Sequence, residues 1–125
     1  MTSSLIIKGF HATSHELKEL NYDTLLSHRT NHANGALGLW CAFSSDWIKG
    51  FGDKTYEVTV EGSCYNMTIK DLSQLANTFH GADEYTKKRA ELLDQGYSFI
   101  KLLEKDGSCE IFVVLDFTKA SIKPV

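Results

Sequence analysis

The stretch Ser108-Cys109-Glu110-Ile111-Phe112-Val113-Val114-Leu115-Asp116 constrains the fold more than any other part of this chain. Its β-branched and aromatic residues favour a pleated strand, and a near-continuous apolar run marks a strand buried on both faces. Glu110 interrupts that run close to its start. A lone carboxylate inside a core is costly to desolvate, so Glu110 is expected where the strand emerges into a cleft. A solvated position just after the turn Lys105-Asp106-Gly107-Ser108 is the other reading these residues allow. Tyr97–Leu103 reads as the preceding strand, joined to this one by a tight turn at Asp106-Gly107.

Upstream, a strand over residues 5–11 ends at the polar corner Ala12-Thr13-Ser14, with Thr13 or Ser14 capping a short helix over residues 15–20. Residues 21–35 show no clear period and include the turn signal Asn34-Gly35, so this segment is expected to be mostly loop. Residues 37–43 read as a second strand, after which Ser44-Ser45-Asp46 opens a capped helix that stops at Gly50. Residues 54–61 alternate with period two; Gly62-Ser63 reads as a turn and residues 64–69 as the returning partner of a hairpin. Asp71 is the expected cap of a helix over residues 72–79. Asp83 is that of a second over residues 84–95, whose stripe of Tyr85, Arg89, Leu92 and Leu93 ends at Gly96. The tail, residues 121–125, adds a short edge strand in which Pro124 is tolerated.

The sum is α+β, with a twisted, mostly antiparallel sheet and a few short helices. A chain of 125 residues that is 42% hydrophobic is long enough for one core and too short for two, so residues 1–125 read as a single domain. A net charge of -3 argues against a broad nucleic-acid or anionic-membrane footprint, while a local basic patch stays open. Cys41, Cys64 and Cys109 are odd in number and lack CxxC spacing, which points to a cytoplasmic setting. No apolar run approaches the ~20 residues that span a bilayer, so no membrane partner is expected. His28 and His32 stand four apart but have no carboxylate or thiolate pair beside them, and no metal site is expected.

Three separated segments together resemble the ADP-ribosyltransferase superfamily, the group of the diphtheria-like toxins and poly(ADP-ribose) polymerases. Phe10-His11-Ala12-Thr13 is similar to its histidine-glycine-serine/threonine corner. Gly38-Leu39-Trp40-Cys41-Ala42, followed by Phe51, resembles the second motif, in which a strand and the next helix each present an aromatic residue. Glu110-Ile111-Phe112-Val113-Val114-Leu115-Asp116 resembles the third, a glutamate leading a strand that ends in aspartate. Leu92-Leu93-Asp94-Gln95-Gly96-Tyr97 is also similar to the helix end and Gly-Tyr step of small prokaryotic and phage-borne members. The resemblance runs from Phe10 to Val125.

It implies an ADP-ribosyltransferase-like fold around an NAD cleft, with NAD as substrate. By that resemblance His11 bonds the adenosine ribose, and backbone groups at Ala12, in the corner with Thr13, hold the nicotinamide carboxamide. Trp40 and Phe51 sandwich the nicotinamide ring, and Glu110 is catalytic, bonding the 2′-hydroxyl of the nicotinamide ribose. A fixed carboxylate there stabilises the oxocarbenium-like charge that develops as nicotinamide leaves more than it stabilises the neutral sugar.

The implied activity is mono-ADP-ribosyl transfer to a macromolecular acceptor, a host protein first, with a nucleic acid acceptor left open. Ala12 stands where glycine is usual, and Trp40 and Phe51 where tyrosines are, which keeps the stacking and removes the phenol hydroxyls. Ser108, two residues before Glu110, is not the glutamate of arginine-modifying members. The alternative is a catalytically degenerate binding or inhibitor module on the same fold. The tRNA 2′-phosphotransferases rank below both, since Arg29 and Arg89 are too few for an arginine-rich phosphate site. Taken singly, His11 reads as a structural histidine and Trp40, Phe43, Trp47 and Phe51 as core; only the joint order of the motifs points to a site.

Overall fold

Phe112, Val113, Val114 and Leu115 are buried, as a strand covered on both faces requires. The computed structural model describes residues 4–14, 16–17, 20–23, 37–48, 52–76 and 81–125. Its strands are β1 (Ser4–Thr13), β2 (Leu39–Ala42), β3 (Lys54–Thr68), β4 (Tyr97–Leu103), β5 (Cys109–Val114) and β6 (Ala120–Pro124). The helices α1 (Ile69–Ala76) and α2 (Gly81–Asp94) lie between β3 and β4, and 3-10 turns span Ser45–Ile48 and Phe117–Lys119. The architecture is α+β with one six-stranded mixed sheet, as read from the sequence at that level.

The pairings run β1-β2-β5-β4-β3, and β3 pairs back to β1, so these strands close a ring. Among the described strands only β3 and β4 run parallel. Along β3, residues 54–63 pair with β1, while β6 and then β4 occupy its other edge. Closure of this kind leaves few open sheet edges, that of β6 among them. The seam between β1 and β2 is thin, with the single register pair Phe10↔Ala42.

Alternation along the strands produces two packed layers. Leu39, Cys41, Val58, Val60, Phe99, Phe112 and Val114 form an inner cluster, with Ile7 and Phe43 packed against it. Val113, Ile100 and Leu102 join Leu92 and Tyr85 of α2 in an outer cluster, which also takes Trp40 and Ile111. Each fully buried side chain of this size contributes about 1.5–3 kcal/mol relative to exposure.

Several boundaries correct the sequence reading. Gly62-Ser63 is not a turn: β3 continues to Thr68, and the register shifts between Ser63 and Cys64. A Cβ at Gly62 would overlap the Ser98 side chain, so the glycine serves a close strand approach. The first helix starts at Ile69 and is capped by Thr68, whose Oγ1 accepts from the Asp71 N–H at 3.1 Å; Asp71 lies inside the first turn. The second starts at Gly81, so Asp83 is not its cap. β1 runs on through the Ala12-Thr13 corner, and Glu16, Leu17 and Leu20 are not helical, while Tyr22 and Asp23 have helical backbone. Most of the 21–35 loop, Gly50 and Phe51 lie outside the described residues. The turn at Asp106-Gly107 and the edge strand β6 stand as read. Gly107 has a positive φ of 85°, and Asp106 Oδ1 accepts from the Ser108 N–H at 3.0 Å.

Candidate functional site

The strands that carry His11, Trp40 and Glu110 are consecutive neighbours, β1-β2-β5. Residues far apart in the chain are thereby gathered into one patch of sheet, centred on the thin seam between β1 and β2.

His11 is half-buried on β1, and its Nδ1 lies 2.7 Å from the carbonyl oxygen of Trp40. A carbonyl can only accept, so Nδ1 carries the proton and donates. Burial lowers the pKa of the imidazole, and the hydrogen bond to Trp40 pulls it back upward. In the neutral ring Nε2 is then a lone-pair acceptor, suited to a hydroxyl.

The faces decide which aromatic residue belongs with His11. Ile7 packs on the inner cluster, and a Cβ at Gly9 would strike the Phe112 ring, so by alternation His11 also projects inward. Phe10 and Ala12 pack with Ala42 on the other side. Trp40 joins the outer cluster with Val113, so its ring lies on the opposite side of the sheet from His11, and what reaches His11 is its backbone carbonyl. Phe43 is one of the aromatic residues on the inner side, with its ring centroid 4.9 Å from that of Phe112. Phe43 packs against the inner cluster, in keeping with its core reading from the sequence.

Glu110 is exposed near the start of β5, as its place after the turn allowed. Its backbone carbonyl accepts from the Phe43 N–H at 3.0 Å. The β4–β5 register passes from Leu102↔Ile111 to Leu103↔Cys109, leaving Glu110 as the extra residue of a β-bulge. Bulges re-aim a side chain and terminate pairing at strand ends. From the register, Glu110 lies two strand spacings and two residues from His11, a backbone separation of about 12 Å. Ala12 is buried opposite Thr55, and Thr13 opposite Lys54. Gly52 packs on Thr13 so closely that a Cβ would overlap the Thr13 carbonyl, which brings the segment after Phe51 against the His11 corner.

Two surface cavities lie elsewhere. One of about 520 Å³ is lined by residues including Ile6, Thr59, Glu61 and Lys119. One of about 260 Å³ involves Lys8, Glu57 and Lys123, where Glu57 pairs with both lysines at 3.6 and 3.2 Å. No helix among the described residues is long and apolar enough to cross a membrane.

No family model matches the sequence. No curated protein matches it either. A solved structure does: the crystal structure of an anti-CRISPR protein superposes over 99% of this chain and 98% of that one, with a TM-score of 0.60 at 12% sequence identity. At that identity the likeness is one of fold, and it extends over essentially the whole of both chains.

Proposed function

We propose that this chain is a mono-ADP-ribosyltransferase that cleaves NAD at the nicotinamide-ribose bond and passes ADP-ribose to a protein, and that it inhibits a CRISPR effector by that modification. The observation that carries the chemistry is the adjacency of β1, β2 and β5, with His11 and Phe43 on one face and Glu110 on a bulge at its edge. The inhibitory role rests on the fold shared with an anti-CRISPR protein.

The residues suit their parts. Nε2 of His11 accepts a hydroxyl of the adenosine ribose, with Nδ1 anchored on Trp40. Phe43, backed by Phe112, gives the nicotinamide ring a platform on the His11 side, where the Trp40 ring is turned away. Glu110 reaches the nicotinamide ribose. As the C–N bond breaks, the electron pair leaves with nicotinamide, and the carboxylate stabilises the cationic sugar in its transition state.

A second reading is a stoichiometric inhibitor that binds without catalysis. It is favoured by the placement of the Trp40 ring in the outer cluster, away from the other motif residues. Incubating the protein with NAD labelled in the adenine moiety and a purified CRISPR effector separates the two. Label on an effector subunit together with released nicotinamide supports the enzyme. Inhibition without NAD consumption supports the binder.

A further inference from the structure

β1 is ten residues long and pairs with β3 along its whole length, from Ser4↔Ser63 to Thr13↔Lys54. Its other edge is paired at one place, Phe10↔Ala42, so among the described residues the backbone of residues 4–9 meets no strand on that side. The open edges of β1 and β6 differ in what they carry. β6 holds Lys123 and Pro124, a charge and a residue without an N–H, and both discourage a further strand. β1 holds Leu5, Ile6 and Ile7 in succession, of which Leu5 is 41% and Ile6 68% exposed. Val125 is the only other large hydrophobic residue so exposed among the described residues, so exposed apolar surface is concentrated on this edge. An apolar edge with unpaired N–H and C=O groups is a template for strand addition.

We propose that this edge pairs with the same edge of a second copy of the chain, antiparallel across a two-fold axis at Ile6, so that the sheet runs from β3 and β1 into the partner's β1 and β3. A two-fold interface uses one patch on both copies, so the tract has to be complementary to itself. Residues 4–8 meet that condition. With Ile6 on the axis, Ile6 meets the partner's Ile6, Leu5 meets the partner's Ile7, and Ser4 meets the partner's Lys8. Apolar residues lie opposite apolar residues, and no like charges are opposed. Lys8 already has a counter-ion on its own copy, Glu57 at 3.6 Å. A shift that centres the axis on Ile7 sets Ile6 against Lys8 instead, which fixes the register. His11 stands five residues beyond Ile6, about 17 Å along the strand, so the candidate site stays open in the pair. A strand pair this short lies at the small end of protein interfaces, and the association is therefore weak and concentration-dependent.

Sedimentation velocity of the full chain, from low micromolar to near-millimolar concentration, reads the association. Wild type is expected to pass from monomer to dimer. Ile6→Lys, which sets two charges face to face on the axis and removes both apolar side chains there, should weaken the association at least about a hundredfold. Because Ile6 is exposed in the single chain, Ile6→Lys is expected to keep the urea midpoint of the dilute protein. Mild oxidation tests the register by a second route. Ile6→Cys lies beside its counterpart across the axis and should close an intermolecular disulfide, whereas Lys8→Cys is about 14 Å from its own counterpart and should do so only when mixed with Ser4→Cys. Wild type, in which Cys64 and Cys109 are half-buried, is the blank. A wild type that stays monomeric throughout overturns the proposal, as does an association unchanged by Ile6→Lys or an equal disulfide yield from Ile6→Cys and Lys8→Cys. If wild type is monomeric and Ile6→Lys loses binding to the effector, the edge docks a strand of that protein and the second copy is the wrong occupant.

Discussion

The imidazole of His11 ties β1 to the carbonyl of Trp40 at 2.7 Å, beside a seam whose backbone register is the single pair Phe10↔Ala42. That bond reinforces a seam between two strands that also carry the candidate site.

That placement makes the fold acid-sensitive in a definite window. The folded pKa of His11 is lowered from 6.5 by burial, against the smaller upward pull of its hydrogen bond. As pH falls through the unfolded value, the unfolded chain binds a proton that the folded chain resists, so stability falls. The loss ends once pH is below the folded pKa, and stability is flat above roughly pH 7.5. The urea midpoint of wild type should thus be lower at pH 5.5 than at pH 7.5, and His11→Gln should narrow that gap. Asp106, whose pKa is lowered by the Ser108 hydrogen bonds, stays ionised over this range and does not contribute. An equal gap in both proteins would remove His11 from the account.

Gly62 should tolerate no side chain. It has φ of 145°, and a Cβ there would overlap Ser98. Gly62→Ala is expected to cost about 1–3 kcal/mol from backbone strain and overpacking. Ser98→Gly made on that background should return part of it, because the two positions share one volume. The check is a pair of thermal melts; additive effects in the double variant would show that the contact is not the cause.

Much of the sheet was legible in the sequence because its cues are local. Tyr97–Leu103 is bounded by Gly96 and the Asp106-Gly107 turn, and its limits coincide with β4. Gly62-Ser63 misled because a glycine that relieves a close approach to Ser98 looks the same in sequence as one that makes a turn. Asp71 was an equally plausible cap by composition, and only the geometry selects Thr68. The face of Trp40 was not readable, since Leu39, Trp40, Cys41 and Ala42 are all apolar and period two cannot say which side is which. Adjacency of β1, β2 and β5 depends on pairing between distant segments, which no local pattern encodes.

The two aromatic residues of that region should separate on mutation. Trp40 packs in the outer cluster, so Trp40→Ala should lower stability by up to about 3 kcal/mol. Phe43 packs against Phe112 with the rings tilted by 46°, and Phe43→Ala should weaken NAD binding roughly 2- to 13-fold, from the ~0.5–1.5 kcal/mol typical of a ring pair. Calorimetric titration with NAD beside a urea melt reads both. Weakened binding in Trp40→Ala without loss of stability would return the stacking role to Trp40.

Glu110 decides between enzyme and binder. Its exposure on the bulge means that Glu110→Gln, nearly isosteric, should leave the fold and the backbone contact with Phe43 unchanged. The amide still offers a hydrogen bond to the ribose hydroxyl, so the dissociation constant for NAD should stay within a few-fold of wild type. What disappears is the charge opposite the developing oxocarbenium ion, an interaction made fully only in the transition state. Removing one preorganised electrostatic contact costs on the order of 10²–10³ in rate, and a full charge facing a cation should be no smaller. Single-turnover release of nicotinamide should therefore slow at least about a hundredfold. Retention of most of the activity by Glu110→Gln would make the carboxylate a solvated bulge residue and move the chemistry elsewhere. If neither protein cleaves NAD while wild type still inhibits the effector, the stoichiometric inhibitor is the correct reading, and Glu110→Lys then tests whether this edge of β5 forms part of the contact surface.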